Sequence, residues 1–163
     1  MNRRQFIQGS LALGLSLLLS PFAQAANMRK KTMIETIHKT DDQWRALLTQ
    51  KQYQVLRREG TEPPFSSALN KEYGRGTYVC AACDLPLFTS ETKFDSGTGW
   101  PSFFAPIENH METSRDFKMI LPRTEYHCAR CGGHQGHVFN DGPEPTGQRW
   151  CNNGVALRFI ATD

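Results

Sequence analysis

The chain lacks a strong excess of charge of either sign. Its 163 residues include 19 Lys and Arg against 16 Asp and Glu, which gives a formal net charge of +3. Proteins that bind nucleic acid or lie on a membrane surface present a basic patch, and this composition argues against both roles. The chain also lacks low-complexity tracts and internal repeats, apart from one doubled cysteine spacing. We therefore expect one domain with one core and no nucleic-acid partner.

The sequence has no apolar segment long enough to span a bilayer, which takes about 20 residues. The apolar run at residues 11–19 follows Arg3 and Arg4 and precedes an Ala-x-Ala motif at residues 23–25. A positive start, a short apolar run and small residues at the end are typical of a cleaved signal peptide. The adjacent arginines, followed by Phe6, resemble the twin-arginine signal, which exports folded proteins. The alternative is a general secretory signal with two chance arginines.

The N-terminal pattern predicts a segment that is cleaved off and a mature domain that remains. We expect a twin-arginine-like signal peptide at residues 1–25 and a mature domain at residues 26–163, whose core spans about residues 40–160. Cleavage after residue 25 would remove two of the 19 basic residues and no acid, leaving 17 basic residues against 16 acidic ones. The prediction is a periplasmic or otherwise exported protein without a stable membrane anchor.

The mature domain is predicted to be mainly β, with a small helical N-terminal portion. Thr40 and Gln43 fit a capping box at a helix start, and residues 50–58 have helical spacing that ends at Gly60. From Thr77 onwards, short runs rich in Val, Tyr, Phe and Thr alternate with turn clusters, which is typical of antiparallel strands. The expected strand segments are residues 78–79, 87–88, 94–97, 117–121, 125–127, 137–139 and 155–160.

Four of the five cysteines form two Cys-x-x-Cys pairs, Cys80 with Cys83 and Cys128 with Cys131, separated by 44 residues. Two such pairs suit a tetrahedral zinc site with four cysteine ligands, which is structural because no coordination position stays open. Two disulfides are an alternative for an exported protein, and a redox role for one pair is another. A redox enzyme needs only one pair, and a folded export substrate can carry its metal, so we predict one structural zinc ion.

The fifth cysteine, Cys151, has no partner of this kind. On a strand, Arg149, Cys151 and Asn153 would project from the same face, and a guanidinium beside a thiol lowers the pKa of that thiol. Cysteine also serves as buried apolar filler. The two polar neighbours favour a reactive thiol over filler.

A second polar cluster lies just before this cysteine. If His137 begins a strand, Phe139 and Asp141 share its face, and His134 lies three residues earlier. Histidine can supply a proton near neutral pH, and Asp141 could orient it or pair with Arg149. Such residues suit either a cysteine hydrolase or a redox reaction, and the residues alone leave both open.

In order and spacing, these motifs resemble the type-B peptide-methionine sulfoxide reductases across residues 40–159. The matching segments are TEPPF at 61–65, YVCAAC at 78–83, FDSGTGWPS at 94–102, CARC at 128–131, GHVFNDGP at 136–143 and RWCNN at 149–153. The resemblance implies two antiparallel sheets, zinc on the four paired cysteines, and thiol-dependent reduction of the R epimer of methionine sulfoxide. The substrate would be oxidised proteins or peptides, with the free amino acid as a further possibility.

The resemblance also implies a role for each site residue. Cys151 matches the nucleophile, which attacks the sulfoxide sulfur and becomes a sulfenic acid. His134 and His137 match the residues that hydrogen-bond and protonate the leaving oxygen. The remaining matches are on the substrate side: Trp100 as the wall for the substrate methyl group, and Arg149, Asp141, Asn153 and Phe139 around the nucleophile.

One residue departs from the pattern of many family members. Thr98 occupies the position where they carry a second, resolving cysteine. The sulfenic acid would then be reduced by an external thiol donor, of the thioredoxin type or belonging to a periplasmic thiol relay. Two rival functions are a non-enzymatic zinc module that binds protein or nucleic acid, and a cysteine hydrolase. Neither explains the full set of motifs.

Overall fold

Two short helices open the part of the chain that the computed structural model describes, residues 34–162. Helix α1 spans Asp41–Leu47 and helix α2 spans Gln50–Arg58. A threonine capping box starts each one. The Thr40 hydroxyl accepts the Gln43 N–H while the Gln43 side chain accepts the Thr40 N–H, and Thr49 does the same with Gln52. Each box satisfies two backbone N–H groups that the first helical turn leaves unpaired, and the predicted box at Thr40 is confirmed.

Nine strands follow in the described residues, and all pair antiparallel in two sheets. Strand order is β2-β1-β9 in the smaller sheet and β3-β4-β8-β7-β6-β5 in the larger one. The predicted class, mainly β with a small helical N-terminal portion, is confirmed. The strands are β1 (Gly76–Cys80), β2 (Pro86–Thr89), β3 (Lys93–Phe94), β4 (Ser102–Phe103), β5 (Met111–Asp116), β6 (Arg123–Cys128), β7 (His134–Phe139), β8 (Arg149–Asn152) and β9 (Leu157–Ala161).

The predicted strand at residues 117–121 is wrong. This segment is the turn between β5 and β6, and its apolar side chains face solvent, with Phe117 72% and Ile120 100% exposed. The ladder closes at the pair Asp116 and Arg123, and Pro122 has no N–H with which to extend it. The segment has strand-like composition but no partner strand.

Aromatic rings pack against one another in the core, alongside buried leucine, valine and cysteine side chains. Phe88 stacks on Phe103 at 4.0 Å between ring centroids, and Tyr126 meets Trp150 edge to face at 4.9 Å. Trp150 therefore anchors the face of strand β8 that points into the core. Because successive side chains on a strand point to opposite faces, this inward anchor turns Cys151 to the outer face of the larger sheet.

No helix among residues 34–162 is long and apolar enough to cross a membrane. The predicted signal peptide at residues 1–25 lies outside the described residues.

Candidate metal centre and thiol site

The two Cys-x-x-Cys pairs converge at one end of the two sheets. Cys80 ends β1 in the smaller sheet and Cys128 ends β6 in the larger one, while Cys83 and Cys131 lie in the tight turns that follow. The Cys80 carbonyl accepts the Asp84 N–H at 2.9 Å, and the Cys128 carbonyl accepts the Gly132 N–H at 2.8 Å. These turns bend each chain back and bring the second thiol of each pair toward the first.

The spacing of the four sulfur atoms suits a tetrahedral metal ion. Cys80 Sγ lies 3.7 Å from Cys131 Sγ, and Cys83 Sγ lies 3.5 Å from Cys128 Sγ. Zinc–thiolate bonds of about 2.3 Å place tetrahedral sulfur atoms about 3.8 Å apart. All five cysteines fall within the described residues and all are free. The disulfide alternative is thus not seen, and the four thiols could hold a metal ion that would join the two sheets.

Cys151 lies at the centre of a row of side chains that crosses the outer face of the larger sheet. It is the cross-strand partner of His137 on one side and of Ser102 on the other. His137 in turn pairs with Glu125 on β6. Directly opposed residues of antiparallel strands share a face, with Cβ atoms about 4.5–5.5 Å apart. Strand register therefore places an imidazole next to the thiol.

A β-bulge brings His134 to the same face as His137. The two histidines are three positions apart, so regular alternation would send them to opposite faces. The register shifts between Tyr126 and His127, which pairs with His134, and the extra residue restores the shared face. The rings of His134 and His137 end 5.6 Å apart between centroids.

The carboxylate beside His137 is Asp116, which the sequence analysis missed. His137 Nε2 lies 2.8 Å from Asp116 Oδ2, and Arg123 donates to the same oxygen at 2.7 Å. The Lys118 N–H and then His137 hold the pKa of Asp116 well below its usual range, so Asp116 is a carboxylate. Burial lowers the pKa of His137, and the Asp116 carboxylate partly offsets that effect.

His134 is almost fully buried, and its carboxylate neighbour is Glu125. Burial lowers the pKa of His134 to about 4, although Glu125 opposes the shift. The Glu125 carboxylate contacts His134 Nδ1 and lies 3.2 Å from His127 Nε2. At neutral pH His134 is therefore neutral, and it can act only as an N–H donor or a lone-pair acceptor.

Asp141 pairs with Arg149 rather than with a histidine. Arg149 Nε and Nη2 each donate to one Asp141 oxygen at 2.9 Å, a two-bond geometry that fixes the guanidinium plane. The guanidinium also lies 4.3 Å from the centre of the Phe139 ring. Strand β7 begins at His134 and ends at Phe139, so the predicted start at His137 is wrong and Asp141 lies beyond the strand. Of the two options for Asp141, the ion pair is the one observed.

The pKa of the Cys151 thiol is raised, contrary to the expected direction. Burial raises it, and this outweighs the lowering by Arg149 and by a hydrogen bond from the Thr98 side chain. Arg149 already shares its charge with Asp141, so less of it is available to a thiolate. The Thr98 hydroxyl belongs to a short chain in which Ser96 Oγ lies 2.8 Å from Thr98 Oγ1 and 2.7 Å from Ser102 Oγ.

The raised pKa of the Cys151 thiol predicts how Cys151 reacts with an alkylating agent. Iodoacetamide reacts with thiolates, so the alkylation rate of the folded protein should rise with pH and reach its midpoint above that of the unfolded chain. Mass spectrometry of the peptide that contains Cys151 gives the rate at each pH. The matched reference is the same peptide in denaturant, where burial is absent. A midpoint below that reference would show that Arg149 dominates.

Trp100 and Asn153 meet at the backbone of Glu62. Trp100 Nε1 donates to the Glu62 carbonyl at 3.0 Å, and Asn153 Oδ1 accepts the Glu62 N–H at 3.0 Å. Trp100 and the exposed Phe65 line a cavity of about 200 Å³. The Asn153 side chain is buried and uses both polar ends in the fold. Both polar groups of Asn153 are therefore committed to the fold.

Gln135, the residue in the bulge, links the metal centre to the thiol strand. Its side-chain amide donates to Cys80 Sγ at 3.4 Å, and its backbone carbonyl accepts the N–H of Asn153 at 2.8 Å. Tyr126 donates to Asn152 at 2.8 Å in the same buried layer. The metal centre thus lies behind the strand that carries Cys151.

Comparison with known proteins gives one consistent result. The SelR domain matches residues 48–161. The chain is 55% identical over 131 residues to the peptide methionine sulfoxide reductase MsrB of Pseudomonas putida (strain W619), covering 80% of this chain and 98% of that protein. It is 50% identical over 124 residues to the MsrB of Leptospira interrogans, covering 76% and 95%. Against the MsrB of Methanosarcina mazei it is 52% identical over 124 residues, covering 76% and 89%.

Proposed function

Because the chain belongs to the SelR domain family, we propose that it reduces the R epimer of methionine sulfoxide, chiefly in oxidised proteins and peptides. The observation that carries the proposal is the position of Cys151 opposite His137 in the strand register, with the ring of the buried His134 5.6 Å from that of His137. Reduction of a sulfoxide needs a soft nucleophile for sulfur and hydrogen-bond donors for oxygen. The outer face of the larger sheet presents both.

The reaction transfers one oxygen atom from the substrate to Cys151. The Cys151 sulfur attacks the sulfoxide sulfur, the S–O bond breaks, and the oxygen ends on the cysteine as a sulfenic acid. The cysteine sulfur loses the two electrons that the sulfoxide gains. The thiol proton ends on the sulfenic acid, so the step consumes no net proton.

The two histidines serve the oxygen that leaves the substrate. His137 is held by the Asp116 carboxylate, which favours the protonated imidazole and lets His137 carry the thiol proton toward the oxygen. His134 is neutral and fixed by burial, so it contributes a hydrogen bond rather than a charge. Asp116 is a positioning residue for His137.

Removing the Asp116 charge is predicted to slow the reaction. Asp116→Asn takes away the group that raises the pKa of His137, so we expect kcat to fall about 100-fold, the low end of the range for general acid–base catalysis. The acid limb of the pH–rate profile should move to lower pH. The matched control is Asp84→Asn, which breaks the exposed ion pair with Arg158 and should change neither quantity. An unchanged pH profile in Asp116→Asn would show that Asp116 takes no part in the mechanism.

Recognition of one sulfur epimer is assigned to Trp100. Its ring is anchored by the bond to Glu62, next to Pro101, whose carbonyl accepts the N–H of Asn152. An apolar wall at this point offers a place for the substrate methyl group while the oxygen faces the histidines. The opposite epimer would direct its oxygen to the wall.

The metal that best fits the four sulfur ligands is zinc, which commonly takes a closed set of four cysteines in structural sites. Cys80, Cys83, Cys128 and Cys131 would hold it, and it would supply rigidity rather than chemistry. Gln135 contacts both Cys80 and the strand end at Asn153, so this rigidity would extend to the thiol strand.

Recycling of Cys151 is proposed to use an external thiol. Thr98 occupies the position where many family members carry a resolving cysteine. Its hydroxyl cannot form a disulfide with Cys151. Two external thiols would reduce the sulfenic acid through a mixed disulfide and release water. A thioredoxin-type donor or a periplasmic thiol relay would supply them.

A cysteine at position 98 is predicted to capture the oxidised Cys151. The Thr98 side chain lies close enough to the thiol to lower its pKa, so in Thr98→Cys the introduced thiol should form a disulfide with Cys151 after one turnover, given bonding geometry. Non-reducing peptide mapping would detect it. The matched control is Thr92→Cys, which adds a thiol at the end of the short 3₁₀ helix Ser90–Thr92 before β3 and should form none. Failure of Thr98→Cys to cross-link would show that the loop holds position 98 out of reach.

Export through the twin-arginine route is a separate part of the proposal. It is supported by the arginine pair and the short apolar run of residues 1–25. Export of a folded chain would also let the thiols bind metal before they meet an oxidising compartment. Cell fractionation of the native chain and of an Arg3→Lys, Arg4→Lys variant tests it. Export of both to equal extent would contradict the route.

The activity itself is tested with racemic N-acetyl methionine sulfoxide and dithiothreitol. The predicted result is consumption of the R epimer alone, with N-acetyl methionine as the product. Hydrolysis of an ester substrate without reduction of the sulfoxide would favour a cysteine hydrolase. A folded, metal-loaded protein that carries out neither reaction would favour a binding module.

A further inference from the structure

A second group of metal-ligating side chains lies on the outer face of the larger sheet, apart from the four cysteines. Glu125 and His127 are two residues apart on β6 and project from the same face, and the bulge brings His134 of β7 beside them. One ligand atom from each of these three residues lies within 4.8 Å of the other two. Two imidazoles and one carboxylate form a recurrent ligand set for divalent zinc.

Burial leaves one ring nitrogen of His134 without a hydrogen bond. His134 is 1% exposed, and its Nε2 has no hydrogen-bond partner, while its Nδ1 contacts the Glu125 carboxylate. Glu125 is 7% exposed, and its Oε1 contacts His134 Nδ1 and lies 3.2 Å from His127 Nε2. Buried polar atoms are rarely left unsatisfied, and those that are call for an explanation such as a bound ion. A cation bound by these residues would offset the burial of the Glu125 carboxylate and take a lone pair of the His134 ring.

We propose that Glu125, His127 and His134 form a second metal site, which takes a divalent ion of the zinc class. Three protein ligands leave a fourth position for water, unlike the closed set of four cysteines. The side chains need only small rotations, because Glu125 Oε1 already lies 3.2 Å from His127 Nε2, close to the separation of two ligands on one zinc ion. The site is distinct from the four-cysteine centre and shares no ligand with it.

Occupation of this site would inhibit the enzyme, a consequence that rests on the proposed function. The metal would take the His134 nitrogen lone pair and place a positive charge beside His137, which must itself receive a proton. His127 takes no part in the proposed reaction. Substitution of His127 therefore tests the metal site without removing a residue of the proposed reaction.

The binding test uses purified Cys151→Ser protein that has kept its structural metal, so that neither the nucleophile nor turnover affects the result. After equilibrium dialysis against buffered zinc, elemental analysis should find two zinc ions per chain. His127→Gln and Glu125→Gln in the same background should each hold one. The matched control His38→Gln removes an exposed histidine elsewhere and should hold two. Two zinc ions in His127→Gln, or one in the parent protein, would overturn the proposal.

The inhibition test measures single-turnover reduction of the sulfoxide without thiols, because thiols bind zinc. Zinc should slow the native protein at least tenfold, and His127→Gln should retain its metal-free rate. Equal inhibition of both proteins would overturn the inhibitory role. If the native protein reduces no sulfoxide even without added zinc, the proposed function fails, while the zinc count in Cys151→Ser still decides the metal site.

Discussion

Replacing Cys151 with serine is expected to abolish turnover while leaving the fold and the metal content unchanged. Serine is a much weaker nucleophile toward sulfur at neutral pH, and removal of a covalent nucleophile costs more than about a thousandfold in kcat. Cys151 lies outside the four-cysteine cluster, with its neighbours Trp150 and Asn152 holding the strand. The hydroxyl should therefore fit without disturbing the core.

Steady-state reduction of N-acetyl methionine sulfoxide measures this effect, with circular dichroism and elemental analysis on the same sample. Ser102→Ala is a useful comparison, because Ser102 is the cross-strand partner of Cys151 on β4 but cannot be oxidised in its place. That variant should keep most of its activity. Activity of Cys151→Ser within about tenfold of the native protein would show that the nucleophile is another residue.

Removing one metal ligand is expected to unfold much of the domain. In Cys131→Ser, three thiols remain, and the metal site that joins β1 of one sheet to β6 of the other is lost. Apparent binding free energies of structural zinc are about 10–16 kcal/mol, as large as the whole stability of a typical domain, about 5–15 kcal/mol. We expect loss of the metal, a large fall in the melting temperature, and loss of activity as a consequence.

Elemental analysis and thermal unfolding measure this prediction. Ala82→Ser is the matched control, since it adds a hydroxyl inside the first cysteine turn without removing a ligand. It should keep its metal and most of its stability. Native protein that is soluble, active and free of metal would contradict the structural role of the centre.

Local features of the chain could be predicted from its sequence because their causes are local. The capping box at Thr40 depends on residues three apart, and helix α2 occupies residues 50–58 as the spacing indicates. The convergence of the four cysteines followed from the doubled pair, because a metal site needs all four ligands. The β class followed from composition and turn clusters.

Features that depend on strand register could not be predicted in this way. Asp116 lies 21 residues before His137, and nothing in its own segment distinguishes it from any other acid at the end of a strand. The bulge that turns His134 to the active face appears only when β6 and β7 are aligned. The pairing of Asp141 with Arg149 was one of two options that only the fold could separate.

Two further predictions were wrong because the sequence does not show what surrounds a residue in the fold. Arg149 near Cys151 suggested a lowered pKa, but the fold buries the thiol and commits the guanidinium to Asp141. The segment 117–121 has the composition of a strand, but it lies past the last ladder pair of its hairpin. In both cases the surroundings outweigh the local signal.

The central claim, that Cys151 takes the oxygen from the substrate, is tested most directly by one single-turnover measurement. The protein is mixed with one equivalent of the R sulfoxide and dimedone, without reductant, and the products are analysed by mass spectrometry. The predicted result is one reduced substrate per chain, one dimedone adduct on Cys151, and retention of the metal. Reduced substrate formed together with an intramolecular disulfide and released metal, or with Cys151 unmodified, would contradict it.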